Sequence, residues 1–416
     1  MKHIGVMGVW AFLTMRVFAN VDEALDRWGD TLTFNTTTPP FSLKASGTLD
    51  LEGYELSQPS FDPIFTEGHA LFVPRLSLFL DAQLGPRVYV FAQMRLDRGF
   101  DPSDESSDVR IDEYALRAAI TKDSHIVVQV GKFSTVLGNW VKRHASWDNP
   151  FITPPLAYGH LTGIWDIAAP FSTDTLLRWS HVQNGSAPNA GEADKYFRLP
   201  IVWGPAYGSG AALFVQTGPF DLAAEIKNTA LSARPDNWSP EQTGWEHPSF
   251  TGRIGFQPNP MWNLGLSASS GAYLAPTALP SLHPGYGLAA YREIVLAHDI
   301  SFAWHHWRLW AEVLATRFTI PGVADPKVLS WYLETKYKFA PQFSGAIRFG
   351  QQLYGRITDS TGRQVRWGRN TWSLDIAPTY RLAAHLQLKA QYSLQHEDDA
   401  PATWGHVFAT QITLRF

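Results

Sequence analysis

The chain has 416 residues, a formal net charge of -4 and no cysteine. The absence of cysteine excludes metal–thiolate sites, catalytic cysteines and disulfides, and a slightly acidic chain without a basic tail does not suggest nucleic-acid binding. Charged residues make up 17% of the chain and aromatic residues 13%, so it carries more rings and fewer ions than an average soluble domain.

The first 19 residues have the pattern of a cleaved secretory signal. A short polar start is followed by an apolar stretch over residues 4–15, and Val17 and Ala19 occupy the two positions that a signal peptidase tests. We expect the mature chain to begin at Asn20. The alternative is an N-terminal anchor, but about twelve apolar residues are too few to cross ~30 Å of hydrocarbon as a helix.

From Phe41 onward, apolar side chains recur with a period of two. In residues 386–397, one face carries Leu386, Leu388, Ala390, Tyr392 and Leu394, and the other carries Gln387, Lys389, Gln391, Ser393 and Gln395. Such alternation predicts β-strands with one apolar and one polar face. A soluble β-sandwich also alternates, but segments of about ten to fourteen residues match the tilted strands that cross a bilayer.

The connections between these segments alternate in length. Short turns at 85–86, 122–124, 218–219, 258–260, 305–306 and 340–342 alternate with long polar stretches at 100–107, 186–205, 233–247, 276–284 and 358–369. This pattern predicts an all-β fold, a transmembrane up-and-down antiparallel β-barrel over residues 41–416 with an aqueous lumen.

The strand number is left open between about 18 and about 16, since both leave a water-filled barrel. The segment 162–169 alternates poorly and precedes Pro170, so this strand and a neighbour are the two that a smaller barrel would lack. Residues 20–40 lie outside the pattern as a short periplasmic N-terminal segment, for which a helix over 22–28 is one interpretation.

Charged side chains fall on the polar register of the strands, whereas the opposite register is nearly free of ions. We interpret the polar register as the wall of the lumen, because an Arg or Lys facing lipid costs roughly 2–4 kcal/mol at the membrane midplane. The predicted pore-lining cations are Arg87, Arg95, Arg117, Arg253, Arg308, Arg348 and Lys389. Basic residues slightly outnumber acids on this face, which favours anions, although ion pairs across strands would neutralise many of them.

The last strand ends the chain on an aromatic residue. Phe408, Ile412, Leu414 and Phe416 share one face. This arrangement resembles the C-terminal signal of outer-membrane proteins, in which Leu414 and Phe416 would be read by the barrel-assembly machinery after delivery by periplasmic chaperones. An ordinary sheet strand at the chain end is the alternative. The resemblance places the protein in the bacterial outer membrane, in contact with lipid and lipopolysaccharide.

Two consecutive segments carry a family resemblance. VRIDEYALR at 109–117 and VQVGKFSTVLG at 128–138 resemble neighbouring strands of the phosphate-selective porin family, and the similarity extends over about residues 72–163. The resemblance implies a trimeric outer-membrane porin. The chain departs from the family at Val136, where proline is usual, and a basic phosphate-binding loop is not matched, so phosphate itself is implied less directly than a porin.

The segment 134–162 is too long and too mixed in composition for an ordinary connection. One interpretation is that it folds into the lumen as a constriction. There Lys142 and Arg143, with Lys132 just before the segment, would concentrate anions as rings of cations do in anion pores. The other interpretation is a solvated external loop.

The remaining polar clusters predict no metal or cofactor. The acidic stretches 101–108 and 397–399 lack calcium-loop spacing and are interpreted as solvated loops rather than as cation or lipopolysaccharide bridges. His305-His306 is interpreted as an interfacial turn rather than a metal site.

The expected function is a passive channel for small polar solutes, with a phosphate-like anion preference, and not an enzyme. A barrel lipase or protease, for which no Gly-x-Ser-x-Gly motif is found, and a structural or adhesion barrel are the alternatives.

Overall fold

The computed structural model describes residues 22–58, 64, 66, 68–98, 108–181, 197–234, 244–400 and 403–416. The predicted signal peptide 1–19 and almost all of the acidic stretch 101–108 lie outside these residues. Across the described ranges, no helix is long and apolar enough to cross a membrane.

The strands form one large antiparallel sheet that closes on itself. In chain order they are β1 (Thr33–Thr37), β2 (Pro40–Leu56), β3 (Ala70–Leu84), β4 (Val88–Asp97), β5 (Asp108–Ala119), β6 (Ile126–Phe133), β7 (Gly208–Thr217), β8 (Phe220–Lys227), β9 (Ser249–Asn259), β10 (Trp262–Ala272), β11 (Arg292–Trp304), β12 (Trp307–Phe318), β13 (Lys327–Lys338), β14 (Phe343–Tyr354), β15 (Arg356–Thr358), β16 (Gln364–Arg366), β17 (Thr371–Arg381), β18 (Leu386–Glu397) and β19 (Trp404–Arg415). The sheet has 17 strands; β1 lies outside the ring, which leaves 16 in the barrel, and β15 and β16 form a separate hairpin. Pairing of β19 with β2 closes the ring, so the barrel has no free edge, as hydrocarbon requires.

The predicted transmembrane barrel is therefore confirmed with the smaller of the two strand numbers. The two surplus predicted strands, 162–169 and 174–184, are wrong: Thr173–His181 forms an α-helix. Leu176 and Ser180 lie one turn apart and are both buried in this helix. In so short a segment, the strand period of two and the helix period of 3.6 place similar residues on one face. The alternation therefore could not distinguish a strand from a helix.

Side chains alternate between lumen and outer surface along each strand. In β13, Val328, Ser330 and Glu334 are buried inside, whereas Leu329 and Leu333 are exposed outside. Aromatic rings exposed on the outer surface gather near the barrel rim, where amphipathic rings meet lipid headgroups; they include Trp262, Trp304, Trp307 and Phe339. The outer surface is thus the apolar belt that a bilayer requires.

Short turns and long loops lie at opposite ends of the barrel. Turns such as 85–87, 218–219 and 305–306 join strands at one end, which we call the short-turn end, and loops such as 273–291 and 355–370 join them at the other. In outer-membrane barrels the short turns face the periplasm. The alternation in connection length that the sequence shows is therefore a real feature of the fold.

The residues before the barrel cover its closing seam. Residues 22–31 form a helix, and the Trp28 ring lies 5.8 Å from the Phe416 ring. The backbone of Phe416 exchanges hydrogen bonds of 2.9 and 3.0 Å with Gly47 on β2, and the Phe416 ring occupies the space that a side chain at residue 47 would need. The terminal aromatic residue and Leu414 of β19 therefore lie where the last strand meets the first.

Residues 134–181 and 197–207 of the connection between β6 and β7 fold into the barrel, and we call them the lumen segment. It contains a 3₁₀ turn, Val141–Arg143, and two helices, Leu156–Gly159 and Thr173–His181. Its buried apolar side chains pack against inward-facing residues of β11 to β13. The shared core includes Leu137, Trp140, Tyr158, Leu176, Ile201, Val295, Leu314, Phe318 and Tyr332. Burial of this apolar surface holds the segment inside the barrel.

Candidate functional site: the barrel lumen

Three buried carboxylates on the barrel wall anchor the start of the lumen segment. Glu225 on β8 accepts hydrogen bonds from the Thr135 hydroxyl at 2.6 Å and the Val136 amide at 3.2 Å. Glu334 on β13 accepts from the guanidinium of Arg143 at 2.5 and 3.2 Å. Hydrogen bonds to charged groups contribute about 1.5–3 kcal/mol each, so the segment crosses the lumen along a defined line.

Glu312 on β12 is the central anchor. Its carboxylate accepts hydrogen bonds from the Asn139 amide, the Trp140 amide at 2.7 Å and the Tyr158 hydroxyl at 2.6 Å. Gly138 precedes this contact with φ +68°, a left-handed conformation that favours glycine. A Cβ at residue 138 would also collide with the Glu312 carboxylate and the Tyr158 hydroxyl. A glycine is therefore required where the segment approaches the wall.

The middle of the lumen segment reaches the opposite wall. The Trp147 ring lies 5.2 Å from the Arg381 guanidinium of β17 and 4.5 Å from that of Arg415 on β19. Lys389 on β18 donates to the Ser146 carbonyl, and Arg348 on β14 donates to the Thr153 carbonyl at 3.0 Å. The segment thus contacts both sides of the barrel and narrows the lumen.

The three predicted constriction cations have different surroundings. Lys142 is exposed to the lumen and forms no ion pair with any described carboxylate. Arg143 is buried and paired with Glu334, so it anchors the segment instead of facing a solute. Lys132 lies in the wall on β6, is 6% exposed and donates to the Ile111 carbonyl at 3.1 Å. Of the three, only Lys142 is exposed.

Three of the six predicted pore-lining arginines form ion pairs. Arg95 pairs with Asp112 at 3.0 Å, Arg253 with Asp299 at 2.8 Å, and Arg348 with Asp375 at 2.8 Å. These pairs hold neighbouring strands together and leave little net charge.

Two predicted pore-lining arginines, Arg117 and Arg308, form no ion pair within the described ranges. Arg87 lies exposed in the turn 85–87, directly before β4. The sequence pattern suggested a strand from residue 87, whereas β4 begins one residue later, at Val88.

Sequence reasoning did not identify one group of like charges in the lumen. Five cations lie on the inner wall near the short-turn end, and Lys389 is buried among them against the lumen segment; we call them the basic crescent: Arg308, Lys336, Arg381, Lys389 and Arg415. None of them forms an ion pair with a carboxylate in the part of the chain that the structure describes. Arg308 and Lys336 are direct partners in the register of β12 and β13, although like charges placed opposite one another destabilise a sheet.

A signal for this group was present in the sequence, since each residue falls on the polar register of its strand. What was missing was the alignment between strands, which brings residues far apart in the chain to one level of the barrel. Their grouping concentrates positive potential on one side of the lumen mouth.

The described residues contain no group of three or more His, Asp or Glu side chains that could hold a metal ion. His305 and His306 lie exposed in the β11–β12 turn. Desolvation lowers the pKa of His144 in the lumen segment, which disfavours the charged form of this ring.

Of the comparisons with known proteins, only the comparison of structures finds similar proteins. Neither a protein-family model nor a curated protein sequence matches the chain. Solved structures match over nearly the whole length. The anion-selective porin from Comamonas acidovorans has a TM-score of 0.53 and 10% identity, with 90% of this chain and 100% of that chain covered.

Two further structures agree with this result. The outer-membrane channel DcaP of Acinetobacter baumannii has a TM-score of 0.56 at 11% identity, covering 92% of this chain and 99% of its own. Salmonella typhi OmpF, in complex with daunomycin, has a TM-score of 0.55 at 11% identity, covering 92% and 100%.

The chain has the porin fold. A closed barrel with an apolar belt and a polar lumen is built to span a bilayer, and the proteins that share this fold are bacterial outer-membrane proteins. The specific likeness to phosphate-selective porins is not matched by any of these comparisons. The features of this barrel that bear on function are the long lumen segment, its carboxylate anchors and the basic crescent.

Proposed function

We propose that the protein is a passive diffusion channel of the bacterial outer membrane for small polar solutes, with a preference for anions of phosphate-like size and charge. We further propose that it assembles as a homotrimer and catalyses no reaction. A solute would cross between the lumen segment and the barrel wall, past the cations at the short-turn end.

The observation that carries the proposal is the basic crescent. Paired charges cancel, but none of the five crescent residues forms an ion pair with a described carboxylate, and Lys142 adds a sixth cation without an ion pair on the lumen segment. Asp148 on the lumen segment interacts electrostatically with Lys336 but forms no ion pair with any of these cations in the described residues. Clustered cations in a narrow, low-dielectric mouth raise the local concentration of anions.

Two structural relatives support the finer parts of the proposal. One is described as an anion-selective porin, and another, OmpT of Vibrio cholerae, is described in a trimer form and has a TM-score of 0.53 at 9% identity, covering 90% of this chain and 99% of its own. Both share only the fold with this chain, so selectivity and assembly rest on the lumen charges and on experiment.

The test is the reversal potential of the purified protein in a planar bilayer across a potassium chloride gradient. We expect anion selectivity in the native protein and a shift toward cations in the double variant Arg308→Gln, Lys336→Gln. The shift should be larger at 0.01 M salt, where the Debye length is ~30 Å, than at 1 M, where it is ~3 Å.

A matched control is Lys122→Gln, because Lys122 is exposed in the β5–β6 turn at the same end but outside the barrel strands. It should leave the reversal potential unchanged. A native protein that selects cations, or a double variant indistinguishable from the control at both salt concentrations, would refute the anion preference. An esterase assay on the same preparation tests for the alternative, an enzyme barrel.

A further inference from the structure

A second polar region of the lumen lies on the other side of the barrel. A cavity of about 590 Å³ opens between the lumen segment and the wall formed by β4 to β9. Its volume falls within the range of small-molecule sites, roughly 300–1,000 Å³. The lining combines cations with aromatic rings, and the residues that matter here are Tyr89, Phe91, Phe214, Arg117 and Lys142.

The aromatic residues form a platform around one arginine. The guanidinium carbon of Arg117 lies 5.2 Å from the centre of the Phe91 ring and 5.8 Å from that of Phe214. Tyr89 stacks on Phe91 with their centres 5.8 Å apart. Aromatic rings inside a polar lumen leave apolar surface in water, and a flat apolar group would cover it.

Arg117 is held in place but keeps free donors. Its Nε donates to Gln129, and its two terminal nitrogens have no acceptor among the described residues. A guanidinium oriented in this way presents two N–H donors side by side, which matches the two oxygens of a carboxylate.

The acids that line the cavity are already occupied. Glu113 accepts the Ser134 amide at 2.7 Å, and Asp221 pairs with Arg253 at 2.7 Å. Arg117 and Lys142 are both exposed and form no ion pair in the described ranges. The cavity therefore combines two unpaired cations with an aromatic platform.

We propose that this cavity binds small aromatic carboxylates, with the carboxylate on Arg117 and Lys142 and the aromatic ring against Phe91 and Phe214. The inference rests on the proposed function, because it names a class of anion that the channel would favour. A simple aliphatic acid would use the cations alone, and a neutral aromatic molecule would use the rings alone.

The experiment is isothermal titration calorimetry of the folded protein in detergent with benzoate, acetate and benzamide as separate probes. We expect benzoate to bind at least about 10-fold more tightly than acetate or benzamide, since only benzoate uses both features of the site. Arg117→Gln should weaken benzoate binding about 10-fold or more. Phe214→Leu should reduce the affinity for benzoate to that for acetate and leave acetate binding unchanged.

The control is Arg87→Gln, which removes an exposed arginine from a turn at the same end. It should bind benzoate like the native protein, and heat-modifiable migration in gels shows that each variant is folded. Equal affinities for benzoate and acetate, or native affinity in both cavity variants, would overturn the proposal.

The reversal potential distinguishes failure of the aromatic carboxylate site from failure of the proposed anion-selective channel. Anion selectivity without benzoate binding would overturn only this inference, whereas benzoate binding without anion selectivity would support the site and overturn the proposed channel preference.

Discussion

The Glu312 anchor allows a quantitative prediction about the lumen segment. Glu312→Gln keeps the size of the side chain but replaces one carboxylate oxygen by an NH₂ group. The remaining oxygen can still accept from the Asn139 and Trp140 amides, whereas the bond from the Tyr158 hydroxyl, 2.6 Å in the native protein, is lost or reversed. Removal of one charge-assisted bond should destabilise the docked segment by about 1.5–3 kcal/mol.

That loss corresponds to a roughly 10- to 100-fold increase in the population with the segment undocked, since 1.4 kcal/mol is a factor of ten. Hydrogen exchange of the amides of residues 137–142, measured by mass spectrometry in detergent, should accelerate by this factor. Gly138→Ala should act in the same direction, because its methyl group would press on the Glu312 carboxylate and its φ of +68° is unfavourable for alanine.

The matched control is Asp299→Asn. Asp299 is the partner of Glu312 in the register of β11 and β12, but its carboxylate bonds to Arg253 and not to the lumen segment. It should leave the exchange of residues 137–142 near the native rate. If Glu312→Gln and Gly138→Ala both exchange like the control, the carboxylate does not hold the segment in place.

Two further predictions concern membrane assembly and the β15–β16 hairpin. Deletion of Phe416 should impair membrane insertion much more than Gln411→Ala on the inner face of β19, because it removes the ring that fills the β19–β2 seam over Gly47; equal yields of heat-modifiable protein from the two variants would contradict this. In the β15–β16 hairpin, hydrogen bonds from the Thr361 hydroxyl and the Arg363 amide lower the pKa of Asp359 to about 2. Because a depressed pKa stabilises the folded form above the unfolded value of about 3.9, the turn should loosen only as pH falls through this range toward 2. A carboxyl-carbon NMR titration of Asp359 with a midpoint near 4 would count against these bonds.

Local rules were sufficient to derive the barrel from the sequence. Neighbouring residues show the period of two, the length of the strands and the alternation of short and long connections. A bilayer permits only a closed sheet for such strands. Leu386 to Glu397 shows this clearly, because its apolar and polar faces in the sequence are its outer and inner faces in the barrel.

These local rules could not predict which side chains meet inside the lumen. Whether Arg143 meets solvent or Glu334, 191 positions further along the chain, depends on where a long connection folds and on how the strands align. The helix Thr173–His181 was mistaken for a strand for the same reason, since its apolar face is defined by packing inside the barrel. The sequence by itself determined the wall, because each residue's side of a strand follows from its neighbours. Only the tertiary structure decided which lumen charges are paired and which are free, because charge pairing depends on distances between strands that the local pattern does not contain.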